Sequence, residues 1–191
     1  IIIFNIFESV MQPEVSIVIV SMNKPEFLFP CLDGIRKHTN VTYETLVVAY
    51  RFTQDNLTEL RERYPWVTVI ESNGLRGFAE NNNLALRQAQ GRYCFIVKDD
   101  TLMNMPVIDR LVEDMERLPE NAAVVSPKII FPDGKVQTCG RGPWTAFKYV
   151  RHYLHLVDET KKTLWTMQEG LFQTYTLNGA CFLAKTAIFK E

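Results

Sequence analysis

Short apolar runs alternate along the first half of the chain with segments whose apolar residues recur at helical spacing. The runs are rich in β-branched residues and have few polar positions, as is typical of strands buried on both faces of a parallel sheet. Four of them predict strands, namely VSIVIV (15–20), LVV (46–48), VTVI (67–70) and YCFIV (93–97). Helices are predicted in between, one after Pro25 and others over 55–64 and 78–89. The pattern predicts an α/β fold with a mostly parallel, doubly wound sheet.

The second half of the chain has a less regular pattern. The elements expected there are a helix after Thr101, strands at 122–126, 128–131, 136–138 and 174–184, and a helix at 146–156. The sequence Pro-Asp-Gly-Lys at 132–135 predicts a turn between two of these strands. The sheet is therefore expected to have a mixed C-terminal part.

The composition is that of a single globular domain. The 191 residues are 47% apolar and 23% charged, which excludes disorder over the whole chain. The 21 Lys and Arg residues nearly balance the 22 Asp and Glu residues, and this net charge of −1 argues against non-specific binding of nucleic acid. The apolar residues 1–7 are too few to span a bilayer, so residues 1–14 are expected to form an N-terminal extension.

The cysteines favour a reducing compartment. No two of them form a C-x-x-C pair, which argues against a zinc site or a redox motif. The four positions are Cys31, Cys94, Cys139 and Cys181. We expect buried, reduced thiols in a cytoplasmic protein.

Polar residues follow three of the predicted strands, at the edge of the sheet where such folds bind ligands. The first strand is followed by Ser21-Met22-Asn23-Lys24, the third by 71–78, and the fourth by Lys98-Asp99-Asp100-Thr101. Lys24, Arg76 and Lys98 are candidate phosphate contacts, because a cation there would stabilise a departing diphosphate.

The adjacent carboxylates Asp99 and Asp100 are the most distinctive chemical feature of the chain. Two neighbouring acids at a buried strand end repel each other and lose hydration, unless a cation lies between them and a ligand. Oxygen ligands of this kind suit Mg²⁺ or Mn²⁺, whose coordination shell substrate phosphates usually complete. The alternative is that Asp100 caps the following helix, since Asp is favoured at that position.

Four segments carry a resemblance to a known family. They read VSIVIVSMNKPEFLFPCLDGIRKHT, RYPWVTVIESNGLRGFAENNNLALRQAQGRYCFIVKDDT, VVSPKIIFPDGKVQTCG and TLNGACFLAKTAIF. In order and spacing they resemble the family 2 glycosyltransferases of GT-A fold, especially the rhamnosyltransferase-like branch. The most specific part is GFAENNNLAL, followed by GRY, an apolar strand and DDT.

The resemblance implies a nucleotide-sugar donor, a UDP-, dTDP- or GDP-sugar, bound across the first half of the sheet. Ser21, Met22 and Asn23 match the first nucleotide-contacting loop of the family. Lys24 stands where some members reach the diphosphate.

The later motifs match the donor pocket and its metal. Gly77, Phe78 and Asn82 match the segment beside the nucleotide. By the same match, Asp99 faces the ribose or the donor sugar and Asp100 holds Mg²⁺ or Mn²⁺.

The resemblance also divides the chain. Residues 15–191 correspond to a GT-A domain, with a nucleotide-binding half over about 15–103 and an acceptor-side half over about 104–191. The segment Asn178-Gly179-Ala180 matches a strand that lines the sugar and the acceptor.

Three departures from the family pattern stand out. Ala49 occupies the position where the family usually has an Asp that binds the base. Lys98 replaces an acid or Asn at the start of the acidic motif, which either weakens metal binding or takes over part of the metal's role. The general base of inverting members is expected beyond Glu191, so the chain is expected to be a fragment or to lack that base.

The sequence therefore predicts an inverting, metal-assisted glycosyltransferase that acts on a saccharide or a lipid-linked acceptor. The expected location is the cytoplasm, with peripheral membrane association if the acceptor is lipid-linked. The alternative is a catalytically inactive GT-A-like module that binds a nucleotide, a glycan or a partner protein. A sugar-phosphate nucleotidylyltransferase would need a glycine-rich basic loop after the first strand, and SMNKPEF does not fit that pattern.

Overall fold

The computed structural model describes residues 12–137, 140–141, 145–154, 156 and 169–190. The four predicted strand–helix units are all present in it. They comprise β1 (Val15–Ser21), α1 (Pro25–His38), β2 (Tyr43–Tyr50), α2 (Gln54–Arg63), β3 (Val67–Ser72), α3 (Phe78–Leu86), β4 (Tyr93–Lys98) and α4 (Val107–Arg117). Most of the expected N-terminal extension, residues 1–11, lies outside the described residues, as does Cys139.

The remaining elements are short. They comprise β5 (Val124–Val125), β6 (Gly140–Arg141), α5 (Ala146–Tyr153), β7 (Thr176–Leu177), β8 (Cys181–Lys185) and a 3₁₀ helix (Thr186–Phe189). Within the described residues, no helix has both the length and the apolar character that crossing a membrane requires.

Six strands form the main sheet in the order β3-β2-β1-β4-β8-β5. The four strands of the first half are parallel, whereas β8 runs antiparallel to both β4 and β5. The predicted α/β fold, mostly parallel with a mixed C-terminal part, is confirmed.

The central strand β1 is buried on both faces, which explains its continuous apolar run. Ile17 and Ile19 belong to the cluster that α1, α2 and α4 cover, whereas Val18 packs with Ala85 and Leu86 of α3. Helices therefore cover both faces of the sheet, as its doubly wound topology requires.

The C-terminal part departs from the predicted strand lengths. The strand expected at 122–126 is only Val124–Val125, which pairs with β8 at the edge of the sheet. The strand expected at 174–184 is interrupted where the Asn178 side chain accepts a hydrogen bond from the backbone N–H of Ala180, at 3.0 Å. These limits arise from pairing with distant strands, which local sequence does not encode.

The other differences are confined to element ends and to one turn. The strands expected at 128–131 and 136–138 reduce to a single bridge between Ile130 and Val136 around the predicted turn. The third helix ends at Leu86 rather than at residue 89, and α5 ends at Tyr153 rather than at 156.

The predicted thiol burial is confirmed for Cys31, Cys94 and Cys181. Burial, followed by the charges of Asp99 and Asp100, raises the pKa of Cys31 to about 12. This thiol is therefore not ionised at neutral pH.

A hydrogen-bond network fixes the amino ends of the central strands. The Ser16 hydroxyl accepts a hydrogen bond from the Gly91 N–H at 2.8 Å and donates one to the Glu44 carboxylate at 2.5 Å. The same Glu44 oxygen accepts the Gln90 N–H at 2.6 Å. The Thr186 hydroxyl donates to the Gly91 carbonyl at 2.7 Å, which ties the C-terminal 3₁₀ helix to the same turn.

Gly91 is predicted to be intolerant of any side chain. A Cβ atom at this position would lie 2.4 Å from the Ser16 nitrogen and 2.7 Å from the Val15 carbonyl carbon, both in the backbone of the central strand. We expect Gly91→Ala to lower the free energy of unfolding by about 1–3 kcal/mol, as measured by urea denaturation.

Gly179→Ala is the matched control, because no heavy atom lies within 4 Å of a Cβ added there. It should change the free energy of unfolding by less than about 0.5 kcal/mol. Equal stabilities of the two variants would show that the close approach at Gly91 can relax.

Candidate active site

The loops that follow the parallel strands meet at one edge of the sheet. The register places Ser21 of β1 opposite Ala49 of β2 and Val20 opposite Lys98 of β4. Ser72 at the end of β3 lies opposite Tyr50. The candidate residues predicted after the first, third and fourth strands therefore share this edge.

The loop after β1 is held against the start of α2. Asn23 has a left-handed backbone, with φ of 52°, and its side-chain oxygen accepts hydrogen bonds from the Thr53 N–H at 3.0 Å and from the Asn56 amide at 2.8 Å. The side-chain oxygen of Asn23 thus shapes the loop. The neighbouring Met22 side chain is exposed, and Lys24 lies 3.4 Å from Glu26 in an exposed ion pair.

The loop after β3 positions Arg76 through two buried side chains. The Arg76 guanidinium donates to the Ser72 hydroxyl at 3.2 Å, and that hydroxyl donates to the Asn81 side chain at 2.7 Å. The Asn81 amide in turn donates to the backbone carbonyls of Arg76 and Gly77. Arg76 is therefore anchored by both its side chain and its backbone.

Ser72 and Asn81 are positioning residues that the sequence analysis missed. The available signal was the run of three asparagines, 81–83, in an otherwise weakly polar helix. Asn81 is only 2% exposed, and a buried amide needs partners.

The other predicted residues of this segment lie at the start of α3. Gly77 precedes the helix, and its N–H donates to the Glu80 carboxylate at 2.9 Å. Phe78 is exposed in the first turn, while Asn82 is buried and donates to the Phe78 carbonyl at 2.8 Å. The Asn82 amide is thus engaged within its own helix.

The two predicted carboxylates lie in the turn that ends β4. Thr101 donates its N–H to the Lys98 carbonyl at 3.1 Å and closes this turn. Asp99 is partly buried, whereas Asp100 is exposed and lies 2.9 Å from the Lys98 ammonium. The helix-capping alternative for Asp100 is wrong, because α4 begins at Val107.

The environment of Asp99 disfavours its charge. Burial has the largest effect and raises the pKa of this carboxyl above its usual value. The Ser21 hydroxyl lowers the pKa in part, the Asp100 carboxylate raises it further, and the Lys98 ammonium lowers it.

The Ser21 hydroxyl itself is fully buried beside Asp99. It is close enough to influence the pKa of that carboxyl, yet it makes no hydrogen bond of acceptable geometry with any residue in the described part of the chain. A buried hydroxyl without a partner is costly, so this atom marks a place where a ligand would gain a contact.

Asp99 and Asp100 fit a hard divalent ion whose shell is completed by a ligand. Mg²⁺ at phosphate sites is typically held by one or two carboxylates together with substrate oxygens. Among the residues that the structure describes, no group of three or more His, Cys, Asp or Glu side chains is placed to hold a metal. The edge thus suits a metal that arrives with a phosphorylated ligand.

The segment before β8 lies directly beside this acidic turn. The backbone N–H of Lys98 donates to the Ala180 carbonyl at 2.9 Å. Asn178-Gly179-Ala180, predicted to line the acceptor side, is therefore brought next to Asp99 and Asp100.

The end of β2 offers no carboxylate at the predicted base-binding position. Ala49 is buried. Glu71, the residue paired with it on the neighbouring strand β3, forms an ion pair with Arg61 at 2.6 Å. Arg51 follows with a left-handed backbone, and its guanidinium lies over the Tyr50 ring at 5.3 Å.

Solved structures share this fold. The chain is similar to the mannosyltransferase PcManGT from Pyrobaculum calidifontis, solved in complex with GDP-Man and Mn²⁺, with a TM-score of 0.61, 20% identity, and coverage of 95% of this chain and 47% of that one. It is also similar to S. aureus TarS 1-349 in complex with UDP-GlcNAc, with a TM-score of 0.62, 18% identity, and coverage of 93% and 46%. The sheet described above is thus of GT-A type.

The sequence comparisons agree with the fold. Protein CgeD of Bacillus subtilis (strain 168) is 25% identical over 127 residues, which are 61% of this chain and 29% of that protein. The chain thus spans less than a third of this curated relative and about half of the solved chains. Residues 16–180 match the family described as Glycosyl transferase family 2, and the chain therefore belongs to that family.

Proposed function

We propose that the protein containing this chain transfers a sugar from a nucleotide-diphosphate donor to an acceptor hydroxyl, with inversion at the sugar. The observation that carries the proposal is that one sheet edge holds an anchored Arg76, two carboxylates and a buried Ser21 hydroxyl that lacks a well-formed hydrogen bond among the described residues. The bound GDP-Man and Mn²⁺ of PcManGT and the UDP-GlcNAc of TarS support this ligand class.

The residues at the edge take distinct parts in this reaction. Asp100, together with Asp99, holds Mg²⁺ or Mn²⁺, and Asp99 also accepts hydrogen bonds from the ribose or sugar hydroxyls. When bound, the metal supplies Lewis-acid stabilisation of the departing diphosphate. Arg76 and Lys24 add positive charge on the diphosphate oxygens.

The loop residues shape the rest of the donor pocket. Met22 and Phe78 offer exposed apolar surface in the loop after β1 and at the start of α3, which suits the flat faces of a nucleotide. Asn23 and Gly77 set the backbone of the two loops, and Asn82 supports the first turn of α3.

The acceptor half of the reaction involves residues 104–191. The acceptor, a saccharide or a lipid-linked sugar, binds next to Asn178-Gly179-Ala180, and a carboxylate of the whole protein deprotonates its hydroxyl. The protein acts in the cytoplasm, at the inner face of a membrane where its acceptor is lipid-linked.

A second candidate function is a GT-A module that binds nucleotide or glycan without catalysis. Ala49 and the Lys98–Asp100 ion pair favour it, because both differ from what a metal-dependent donor site usually presents. The two functions are distinguished by measuring whether the protein turns over a donor that it binds: turnover indicates the transferase, and binding without turnover indicates the inactive module.

Neutralising Asp100 is predicted to weaken donor binding. Titration calorimetry with UDP-, dTDP- and GDP-sugars, in Mn²⁺ and in EDTA, first identifies the donor. For that donor, Asp100→Asn should lower the Mn²⁺-dependent affinity by about tenfold or more, because a charge-assisted contact is lost.

Asp133→Asn is the control, since Asp133 forms a similar ion pair with Lys135 on the remote turn at 132–135. It should leave the affinity unchanged. Wild-type affinity in a protein with both Asp99→Asn and Asp100→Asn, or no binding of any of these donors to the wild type, would refute the proposal.

Arg76→Gln is predicted to weaken binding of the same donor by about tenfold, for loss of a charged contact to the diphosphate. Arg87→Gln, at the far end of α3, removes an equal charge and should have no effect. If the two variants bind the donor equally well, Arg76 does not contact the phosphates.

A further inference from the structure

Lys98 is the last residue of β4 and begins the turn that holds Asp99 and Asp100. Its backbone N–H is bonded to the Ala180 carbonyl at 2.9 Å, and its own carbonyl accepts the Thr101 N–H at 3.1 Å. From this anchored backbone the side chain reaches Asp100, with 2.9 Å between the ammonium nitrogen and a carboxylate oxygen. The cation is thus built into the same three-residue turn as both carboxylates.

The Lys98 ammonium can exchange Asp100 for another partner at low energetic cost. The side chains of Lys98 and Asp100 are 49% and 46% exposed, and exposed pairs of this kind contribute little net stability. A lysine ammonium is a compact charge on a flexible stem with three donors, so it can leave one oxygen for another at small cost.

A divalent ion at Asp100 would share the carboxylate with the ammonium, which already contacts one of its two oxygens. It would also be repelled by that ammonium, because both are positive and within a few ångströms of each other. Phosphate oxygens of a ligand at the same edge would attract either cation.

We propose that the Lys98 ammonium acts as a built-in positive charge of this site. It neutralises Asp100, competes with a divalent ion for that carboxylate, and pairs with the ligand's diphosphate when no metal is bound. The buried Ser21 hydroxyl beside Asp99 makes no well-formed hydrogen bond within the part of the chain that the structure describes, and this independently indicates a ligand at this turn. The diphosphate part rests on the proposed function, whereas the competition with a metal does not.

The first test measures Mn²⁺ binding alone, from the electron paramagnetic resonance signal of the free ion. Lys98→Asn should bind Mn²⁺ about three- to tenfold more tightly than the wild type, because the competing charge is gone. Lys98→Met, which keeps an apolar stem, should behave the same way.

The matched control is Lys135→Asn, which removes an ammonium that also lies 2.9 Å from an aspartate two residues away. It should leave Mn²⁺ affinity unchanged. Equal Mn²⁺ affinities of the wild type and both Lys98 variants, or no Mn²⁺ binding by any of them at millimolar concentrations, would overturn the inference.

The second test measures UDP and GDP binding by calorimetry in EDTA. The wild type and Lys98→Arg should retain binding, while Lys98→Asn should lose about tenfold in affinity, as expected for one charge-assisted contact. Equal metal-free affinities of the wild type and Lys98→Asn would overturn the diphosphate role. If neither nucleotide binds the wild type, with or without Mn²⁺, the proposed function fails. The Mn²⁺ affinities of the wild type and the Lys98 variants still show whether Lys98 competes with a divalent ion for Asp100.

Discussion

The hydrogen bonding of β1 to a parallel partner on each side is the constraint on which the site depends. Because β2 and β4 both align with β1, the residues that follow these strands must emerge at the same edge. Ile17 and Ile19 pack in one cluster and Val18 packs in the other, so a shift by one residue would place each side chain in the wrong layer. The closeness of Ser21 and Asp99 is therefore a consequence of core packing more than of the loops themselves.

The amino end of the sheet holds a network of polar side chains, whereas the carboxyl end holds the candidate site. At the amino end, Glu44, Ser16, Gly91 and Thr186 satisfy one another in a closed set of hydrogen bonds. At the carboxyl end, the Ser21 hydroxyl has no partner among the described residues, and burial raises the pKa of Asp99. The Ser21 hydroxyl and the Asp99 carboxyl are therefore the polar groups of the carboxyl end that would gain most from contact with a ligand.

The sequence was sufficient to predict the elements whose signals are local. A doubly buried strand such as 15–20 requires a continuous apolar run, and the edge at which such sheets generally bind ligands follows from the parallel order alone. The insertion of β8 between β4 and β5 could not be predicted, because it depends on pairing between Val97 and Cys181, far apart in the chain. For the same reason, the fixing of Asn23 by α2 was not apparent from the loop sequence.

The cations of the edge differ in how firmly they are held, and this determines what each contributes. Arg76 is fixed by the neutral Ser72 hydroxyl, so it keeps its full charge for a ligand and pays little entropy on binding. Lys24 and Lys98 are paired with the nearby carboxylates Glu26 and Asp100 in exposed pairs. If the proposed diphosphate binds here, both lysines would exchange a carboxylate partner for phosphate oxygens, at small cost because these pairs are exposed.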